Sequence, residues 1–308
     1  MTVSSPVDLG IVTGPAAHEL TSDGQALRSR LQERGFRVSA ANWRDTTVEW
    51  SSFDGLLVRS CWEYYEEPTA FEEWLDTLEE HGVIVLNPPD AIRWNMHKFY
   101  LRDLADVGCP VPSTAYIEDD CGDELRTLLD RRGWFDAVVK PAVGTSSAGV
   151  WRVRTPVSTA EERRFRRQRT DGDVIVQKFV PDISSGECSL VFFRGEFSHA
   201  SKTVPESGDF RAHHSYGSTA KPYTPSEKII STARTILDAA MENLILDVAD
   251  LLYARVDGVE RDGEFILLEL ELIEPYLGLS AASGALDRFA NEVSRVFTAD
   301  RMSEVSEI

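Results

Sequence analysis

Apolar residues recur along this chain in two rhythms, one of period two and one near 3.6. Short runs at 7–13 (VDLGIVT), 36–42 (FRVSAAN), 55–60 (GLLVRS) and 83–87 (VIVLN) read as strands, with helical stretches at 22–34 and 68–80 between them. In the second helix Phe71, Trp74, Leu75 and Leu78 stand at i, i+3, i+4 and i+7 beside Glu72, Glu73, Glu79 and Glu80, an apolar stripe suited to covering a parallel sheet. Residues 89–107 read as helix, and a domain boundary is expected between 95 and 110. After Pro110 and Pro112, strands are expected at 136–141, 149–154 and 173–180, then at 188–194, 196–203, 251–259 and 264–273. Long helices are expected at 225–243, with Ile229, Ala233, Ile236 and Ala240 as its buried face, and at 284–302.

Composition narrows the class. With 308 residues, 42% of them hydrophobic and 27% charged, the chain can bury ordinary cores as two domains or as one large α/β unit with a lid. Its 51 acids against 32 bases give a net charge of -19, which repels phosphate backbones and makes nucleic acid a poor partner. Only six bases are lysine (Lys98, Lys140, Lys178, Lys202, Lys221, Lys228), an acidic, lysine-poor balance typical of proteins adapted to salt. Cys61, Cys109, Cys121 and Cys188 form no CxxC pair, so neither a zinc site nor a disulfide framework is expected, and a reducing compartment is. The start lacks signal-peptide character and no apolar run nears the roughly 18 residues of a membrane span, so a cytoplasmic protein without membrane contact is expected.

Two segments carry candidate chemistry. In Val138-Val139-Lys140-Pro141 followed by Gly144-Thr145-Ser146-Ser147-Ala148-Gly149-Val150, a strand ends in lysine and runs into a loop of small residues. Such a loop lets backbone N–H groups approach an anion and the lysine adds a point charge for phosphate; a plain turn with a surface lysine fits the same residues. The second segment is Phe265 to Pro275. Strict period two puts Ile266, Leu268, Leu270 and Leu272 on one apolar face, while the other reads Phe265, Leu267 and then Glu269 and Glu271. Same-side carboxylates repel unless a cation sits between them, and oxygen ligands suit Mg²⁺; Asp257 on the preceding strand offers a third donor. A strand emerging into solvent is the other reading.

The order Lys98, Lys140 with its loop, Gln177-Lys178-Phe179-Val180, Gly186-Glu187, Lys202, Arg211, Arg255-Val256-Asp257 and Glu269-Leu270-Glu271 resembles the ATP-grasp superfamily, nearest to its glutathione synthetase and ribosomal-protein glutamate ligase branch. The resemblance spans about residues 90 to 279. It implies an α/β ATP-grasp fold: an N-terminal parallel-sheet substrate domain (1–95), a small central lid (96–176) and a C-terminal, mostly antiparallel α+β subdomain (177–308). It also implies ATP and Mg²⁺, with Mn²⁺ as a substitute. By the same resemblance Lys98 and Lys140 contact ATP phosphates under Ser146, Ser147, Ala148 and Gly149. The hinge Gln177, Lys178, Phe179 and Val180 meets adenine, Glu187 takes the ribose, and Lys202 lies near the nucleotide or on the surface. Asp257, Glu269 and Glu271 hold the metal, and Arg211 and Arg255 bind the transferred phosphoryl group. His213 and His214 receive no role.

The departures fall on the substrate side. Glu271 replaces the Asn of glutathione synthetases, Glu274 a small hydroxyl residue, Ser189 an Arg, and Gly217-Ser218 a glycine pair. The activity implied is ligation of a small-molecule carboxylate to an amine through an acyl-phosphate, releasing ADP and phosphate, and a homodimer is compatible with it. The segment Arg59 to Tyr65 (RSCWEYY) is the candidate substrate wall, with Arg59 for a carboxylate and Glu274 for an ammonium group; for Arg59 and Trp62 a buried strand end is an equal reading. Three rivals remain: a cyclising ligase of the cycloserine-forming kind, which the WEYY and EPYLGL segments resemble, a small-molecule kinase, and a nucleotide-binding protein without turnover. Carboxylate repulsion is screened at a Debye length of about 3 Å in 1 M salt, so the melting temperature is expected to rise from low salt to molar KCl; a flat or falling curve would identify an ordinary acidic protein.

Overall fold

The structure is a computed structural model that describes residues 6–17, 19–118, 123–212 and 217–306. Cys121, His213 and His214 lie outside the described residues. The chain opens with β1 (Asp8–Thr13), α1 (Ser22–Glu33), β2 (Arg37–Asn42), β3 (Gly55–Ser60), α2 (Pro68–Glu80) and β4 (Ile84–Leu86). All four strands pair in parallel in the order β2-β1-β3-β4. Every residue of β3 is buried, as a parallel strand covered on both faces requires. The α2 stripe of Phe71, Trp74, Leu75 and Leu78 is buried as its spacing predicts, with Phe71 edge-on to Trp43 at 5.1 Å.

The helix expected at 89–107 is broken into α3 (Pro89–Met96) and α4 (Tyr100–Asp106). No proline or glycine forces this. His97 is extended because the next amide, that of Lys98, donates to the Ala142 carbonyl at 2.7 Å, a tertiary bond that outweighs local helix preference. The break places Lys98 between two helices, facing the rest of the molecule.

The second sheet contains β5 (Thr114–Ile117), β6 (Asp136–Pro141), β7 (Trp151–Arg154) and β8 (Val174–Lys178), antiparallel in the order β5-β8-β6-β7. Its helices are α5 (Leu125–Arg132) and α6 (Thr159–Thr170); Ser158 caps α6 in a reciprocal pair with Glu161. The third sheet is antiparallel, with β9 (Glu187–Phe193), β10 (Glu196–Val204), β11 (Thr219–Tyr223), β12 (Ala254–Arg261) and β13 (Glu264–Glu271) in the order β11-β10-β9-β12-β13. Between β11 and β12 runs α7 (Glu227–Leu244), burying Ile229, Ala233, Ile236 and Ala240 together with Leu237 and Met241. The short strands β5 and β11 escape the sequence reading; β11 is largely exposed and lacks apolar alternation.

The last helix, α8 (Ala285–Ser306), returns to the start of the chain. Its Phe289, Val293 and Phe297 share one cluster with Leu9, Ile11, Leu27 and Leu31 of the first layer and with Val191 and Phe193 of β9. Arg30 and Arg34 of α1 pair with Asp287, and the buried Asp23 accepts from the amides of Leu279 and Ser280. Among the described residues no helix is long and apolar enough to cross a membrane.

Strict period two fails in β13. The pairing with β12 skips a residue, Asp257 facing Glu269 while Gly258 faces Leu267, so a bulge at Leu268 exchanges the faces. Phe265 and Leu267 before it, and Leu270 and Leu272 after it, all enter the central core, whereas Ile266 and Leu268 share the opposite face with Glu269 and Glu271. That face therefore runs from apolar to acidic along one strand. Gly258 makes the bulge feasible, because a Cβ there would lie 2.3 Å from the Ile266 carbonyl oxygen and 2.5 Å from the Phe265 ring. Gly258→Ala is expected to lower urea unfolding free energy by about 1–3 kcal/mol with an unchanged m-value; wild-type stability would mean that the bulge relaxes freely.

Candidate active site

Side chains from outside the third sheet fix its free edge. Asn95 on α3 donates to the Leu270 carbonyl and accepts from the Leu272 amide, both at 2.8 Å, so its amide replaces a neighbouring peptide. The Tyr100 hydroxyl accepts from the Leu270 amide at 2.9 Å, and Asn87 donates to the carbonyls of Leu272 and Tyr253 at 2.6 and 2.8 Å. The buried Tyr253 hydroxyl sits 2.6 Å from the Val58 carbonyl and 2.8 Å from that of Ile273. The acid-bearing strand is thereby bonded to the end of the first sheet and to the broken helix.

On this frame the charges converge. Arg255 on β12 donates from Nε and Nη2 to Asp257 at 2.9–3.0 Å, from Nη2 to Glu271 at 2.6 Å, and from Nη1 to the Tyr276 carbonyl at 3.0 Å. Lys98 Nζ lies 2.8 Å from Glu269 and 2.7 Å from the Gly144 carbonyl. Burial raises the pKa of Glu269, but Lys98 and Lys140 more than offset it and the carboxyl stays below its usual range. Glu271 is pushed up to about 7 by burial, with Arg255 opposing and Asp257 and Glu269 adding to the rise. Glu187, at the start of β9, is pushed up to about 8 by burial and then by Asp257 and Glu269. Burial and Glu271 raise Glu274 well above the carboxylate range. Among the described residues no three His, Cys, Asp or Glu side chains already form a metal cage. Arg255 bridges Asp257 and Glu271, and Lys98 takes Glu269.

Lys140 ends β6 opposite this cluster, 3.2 Å from Gln177 Oε1, and the Gln177 amide group donates to Thr114. Burial lowers the Lys140 ammonium's pKa against the opposing pull of Glu269 and Glu187. The loop beside it folds as a turn in which the Ala148 amide donates to the Thr145 carbonyl at 2.9 Å, with Ser146 and Ser147 both at positive φ. Two hinge amides are committed within the second sheet, Lys178 to Ser113 and Phe179 to Asp136, while Phe179 and Val180 pack in a small cluster with Ile266 and Leu268.

Four further expected site residues have other surroundings. Arg211 pairs with Asp209 at 2.7 Å and stands over Phe210; burial lowers the pKa of Arg164 on α6, and Arg211 lowers it further. Lys202 sits 5.1 Å from the Tyr223 ring centre, against Gly186. Arg59 is buried: it stacks over Tyr253 at 5.0 Å and donates to the Pro275 carbonyl at 2.9 Å, while its Nη1 has no acceptor among the described residues; Trp62 is only partly buried. Glu274 is buried beyond the end of β13 and, among the described residues, makes no hydrogen bond or ion pair. Asn87, Asn95, Tyr100 and Tyr253 receive no site role in the sequence reading. Asn95, three residues before Lys98, offered a faint signal.

A parallel-sheet layer, then two antiparallel sheets whose facing strands oppose a lysine to a buried acid pair, is the arrangement of an ATP-grasp ligase. Residues 9–87 match the family model for the N-terminal domain of D-cycloserine synthetase DcsG, and 111–251 that for the ATP-grasp domain of prokaryotic glutathione synthetase. The cycloserine biosynthesis protein DcsG of Streptomyces lavendulae is 30% identical over 294 residues, which cover 93% of this chain and 97% of that protein. The crystal structure of D-cycloserine synthetase DcsG superposes with a TM-score of 0.83 at 28% identity, over 94% of this chain and 99% of that one. D-alanine–D-alanine ligase of Bacillus anthracis, complexed with ATP, shares the fold at 16% identity with a TM-score of 0.68, over 98% and 100% of the two chains. The chain belongs to the DcsG family of ATP-grasp ligases, enzymes that join carbon to nitrogen.

Between about pH 5 and 8 folded Glu187 retains a proton that the unfolded chain has released, so its burial destabilises the free protein increasingly as pH rises. Glu187→Gln is therefore expected to raise the melting temperature more at pH 8 than at pH 5 in scanning calorimetry. An equal gain at both values would show that Glu187 titrates normally.

Proposed function

We propose that the protein is a cyclising ligase that phosphorylates the carboxylate of a small amino acid with ATP and lets a nitrogen of the same molecule displace the phosphate. The observation that carries this is the likeness to D-cycloserine synthetase through residues 9–87, the part that bears the substrate wall, whereas the glutathione synthetase match begins only at 111. Free thiols at Cys61, Cys109 and Cys188 fit a reducing, cytoplasmic setting.

The donor set fits a divalent cation. Glu187, Asp257, Glu269, Glu271 and Glu274 outnumber the nearby Lys98, Lys140, Arg255 and Arg59, and burial, with the neighbouring carboxylates, raises the pKa of three of the acids, Glu187, Glu271 and Glu274. Asp257, Glu269 and Glu271 would hold Mg²⁺, or Mn²⁺ in its place, which supplies charge neutralisation at the phosphates. Lys98 and Lys140 meet phosphate oxygens, and the amides of Ser146, Ser147, Ala148 and Gly149 close over them. Phe179, Val180 and Leu268 pack against adenine, and Gln177 keeps Lys140 in place. The committed amides at Lys178 and Phe179 leave Val180 as the hinge's backbone contact. Glu187 takes ribose hydroxyls, with Lys202 beside it.

The chemistry needs orientation more than covalent help. A carboxylate oxygen attacks the γ-phosphorus and ADP leaves; the nitrogen then attacks the acyl carbon, phosphate leaves and the nitrogen loses a proton. Arg255 and Arg211 neutralise charge developing on the phosphoryl oxygens. Glu274, buried at the strand's exit, holds the substrate's ammonium group, and Arg59 positions it by gripping the next residue's carbonyl.

Incubation with Mg·ATP and serine-derived amino acids carrying an O-linked nitrogen should release ADP and phosphate in equal amounts and a cyclic product visible by mass spectrometry. A phosphorylated product would make the protein a kinase, an amide to an added amine an intermolecular ligase, and absence of ADP a nucleotide binder. Glu274→Gln should raise the amino-acid KM by about tenfold to a hundredfold, the worth of a charge-assisted hydrogen bond. ATP KM should stay within about twofold of wild type; a loss confined to ATP or Mg²⁺ affinity would place Glu274 in the metal shell.

A further inference from the structure

The loop at 144–149 is held at three points that its sequence does not announce. Its first carbonyl, that of Gly144, accepts from Lys98 Nζ at 2.7 Å, and its last, that of Gly149, accepts from Gln168 on α6 at 3.0 Å. Between them the Thr145 hydroxyl donates at 2.7 Å to the backbone carbonyl of Trp62, in the segment that follows β3. The preceding Val143 also packs against the aromatic cluster of the first layer, the one containing Tyr64 and Phe71. The turn fixed in this way is strained: Ser146 and Ser147 stand at φ of 52° and 59°, a region that L-residues with side chains enter at a cost. Glycine at either position would relieve that cost, so the contact at Thr145 maintains a conformation the loop does not prefer alone.

The partner segment is also built into a network. The Glu63 carboxylate accepts from the Ala16 amide at 2.8 Å, in the turn after β1, and the Tyr64 ring stacks on Phe71 at 5.2 Å. Thr145 thus bonds the loop to the wall formed by the ends of β1 and β3, where a parallel sheet presents its ligand crevice. We propose that Thr145 is a positioning residue that couples closure of the nucleotide loop to ordering of the substrate wall at 60–66. This rests on the assignment of the loop to ATP and of the wall to the amino acid. Its consequence is that phosphoryl transfer waits for both sites, because either partner left open releases the other.

Hydrogen exchange on the full chain, with Mg·AMPPNP as the probe nucleotide, tests the coupling. In the wild type the probe is expected to slow exchange in both 144–149 and 60–66. In Thr145→Val the loop should still be slowed, while slowing at 60–66 falls by about fivefold, as the loss of one hydrogen bond implies. Thr145→Ser, which keeps the hydroxyl, should restore it, and unchanged exchange across α7 serves as the control for intact folding. Wild-type slowing of the wall in Thr145→Val, or equal loss in the Val and Ser variants, overturns the proposal. If the probe slows neither segment in the wild type, the nucleotide reading fails. The latch is then decided without ligand: faster exchange at 60–66 in Thr145→Val but not in Thr145→Ser supports it, and no difference overturns it.

Discussion

More carboxyl groups are buried around β13 than there are neighbouring cations to pair them, and much of the molecule serves to hold them there. An isolated buried carboxylate costs several kcal/mol, so such groups survive by pairing or by keeping a proton. Both solutions occur side by side. Asp257 and Glu269 are paired, by Arg255 and Lys98, while Glu271 and Glu187 retain part of their protons near neutrality. Arg255 joins Asp257 to Glu271 and Lys98 meets Glu269, so each cation is held by the carboxylates it neutralises.

Holding repelling carboxylates in register requires a stiff backbone, yet β13 is an edge strand. Without a neighbour it would present unpaired N–H and C=O groups and bend under the repulsion. Asn95 and Tyr100 supply the missing partner from the α3–α4 break, the same break that aims Lys98 at Glu269. Asn87 and Tyr253 continue the lacing to the first sheet. Cation, acid pair and first-sheet strand ends are thus set by one short stretch of chain, which limits how far any of them moves alone.

The sequence displayed the repeating parts of this design and hid the exceptions. The α2 and α7 stripes are regular, and both helices bury the faces that their spacing marks. The order of lysines, hinge and acids carried the family resemblance because it does not depend on knowing the fold. What could not be read are places where tertiary bonds override a local rule. The bulge at Leu268 exchanges the faces of β13, and only Gly258 on the opposite strand hints at it. Nothing near His97 breaks a helix; the cause lies at Ala142. Arg59 is buried and bonded to the Pro275 carbonyl, a partner too remote in the chain for the sequence to reveal. The anchors Asn87 and Asn95 are ordinary helix-flanking residues until their partners, more than a hundred positions away, are known.

The docking of α8 onto the first layer also governs how the protein is made. The parallel sheet is made well before α8, and Leu9, Ile11, Leu27 and Leu31 finish their packing only against Phe289, Val293 and Phe297, far later in the chain. Until then the nascent sheet exposes an apolar face while both antiparallel sheets are still emerging, a long interval in which chaperones or a crowded acidic surface must keep it from associating. Emergence of α8 therefore completes packing that the first sheet leaves open, so a substitution that unseats Phe289 or Phe297 would undo structure encoded far upstream.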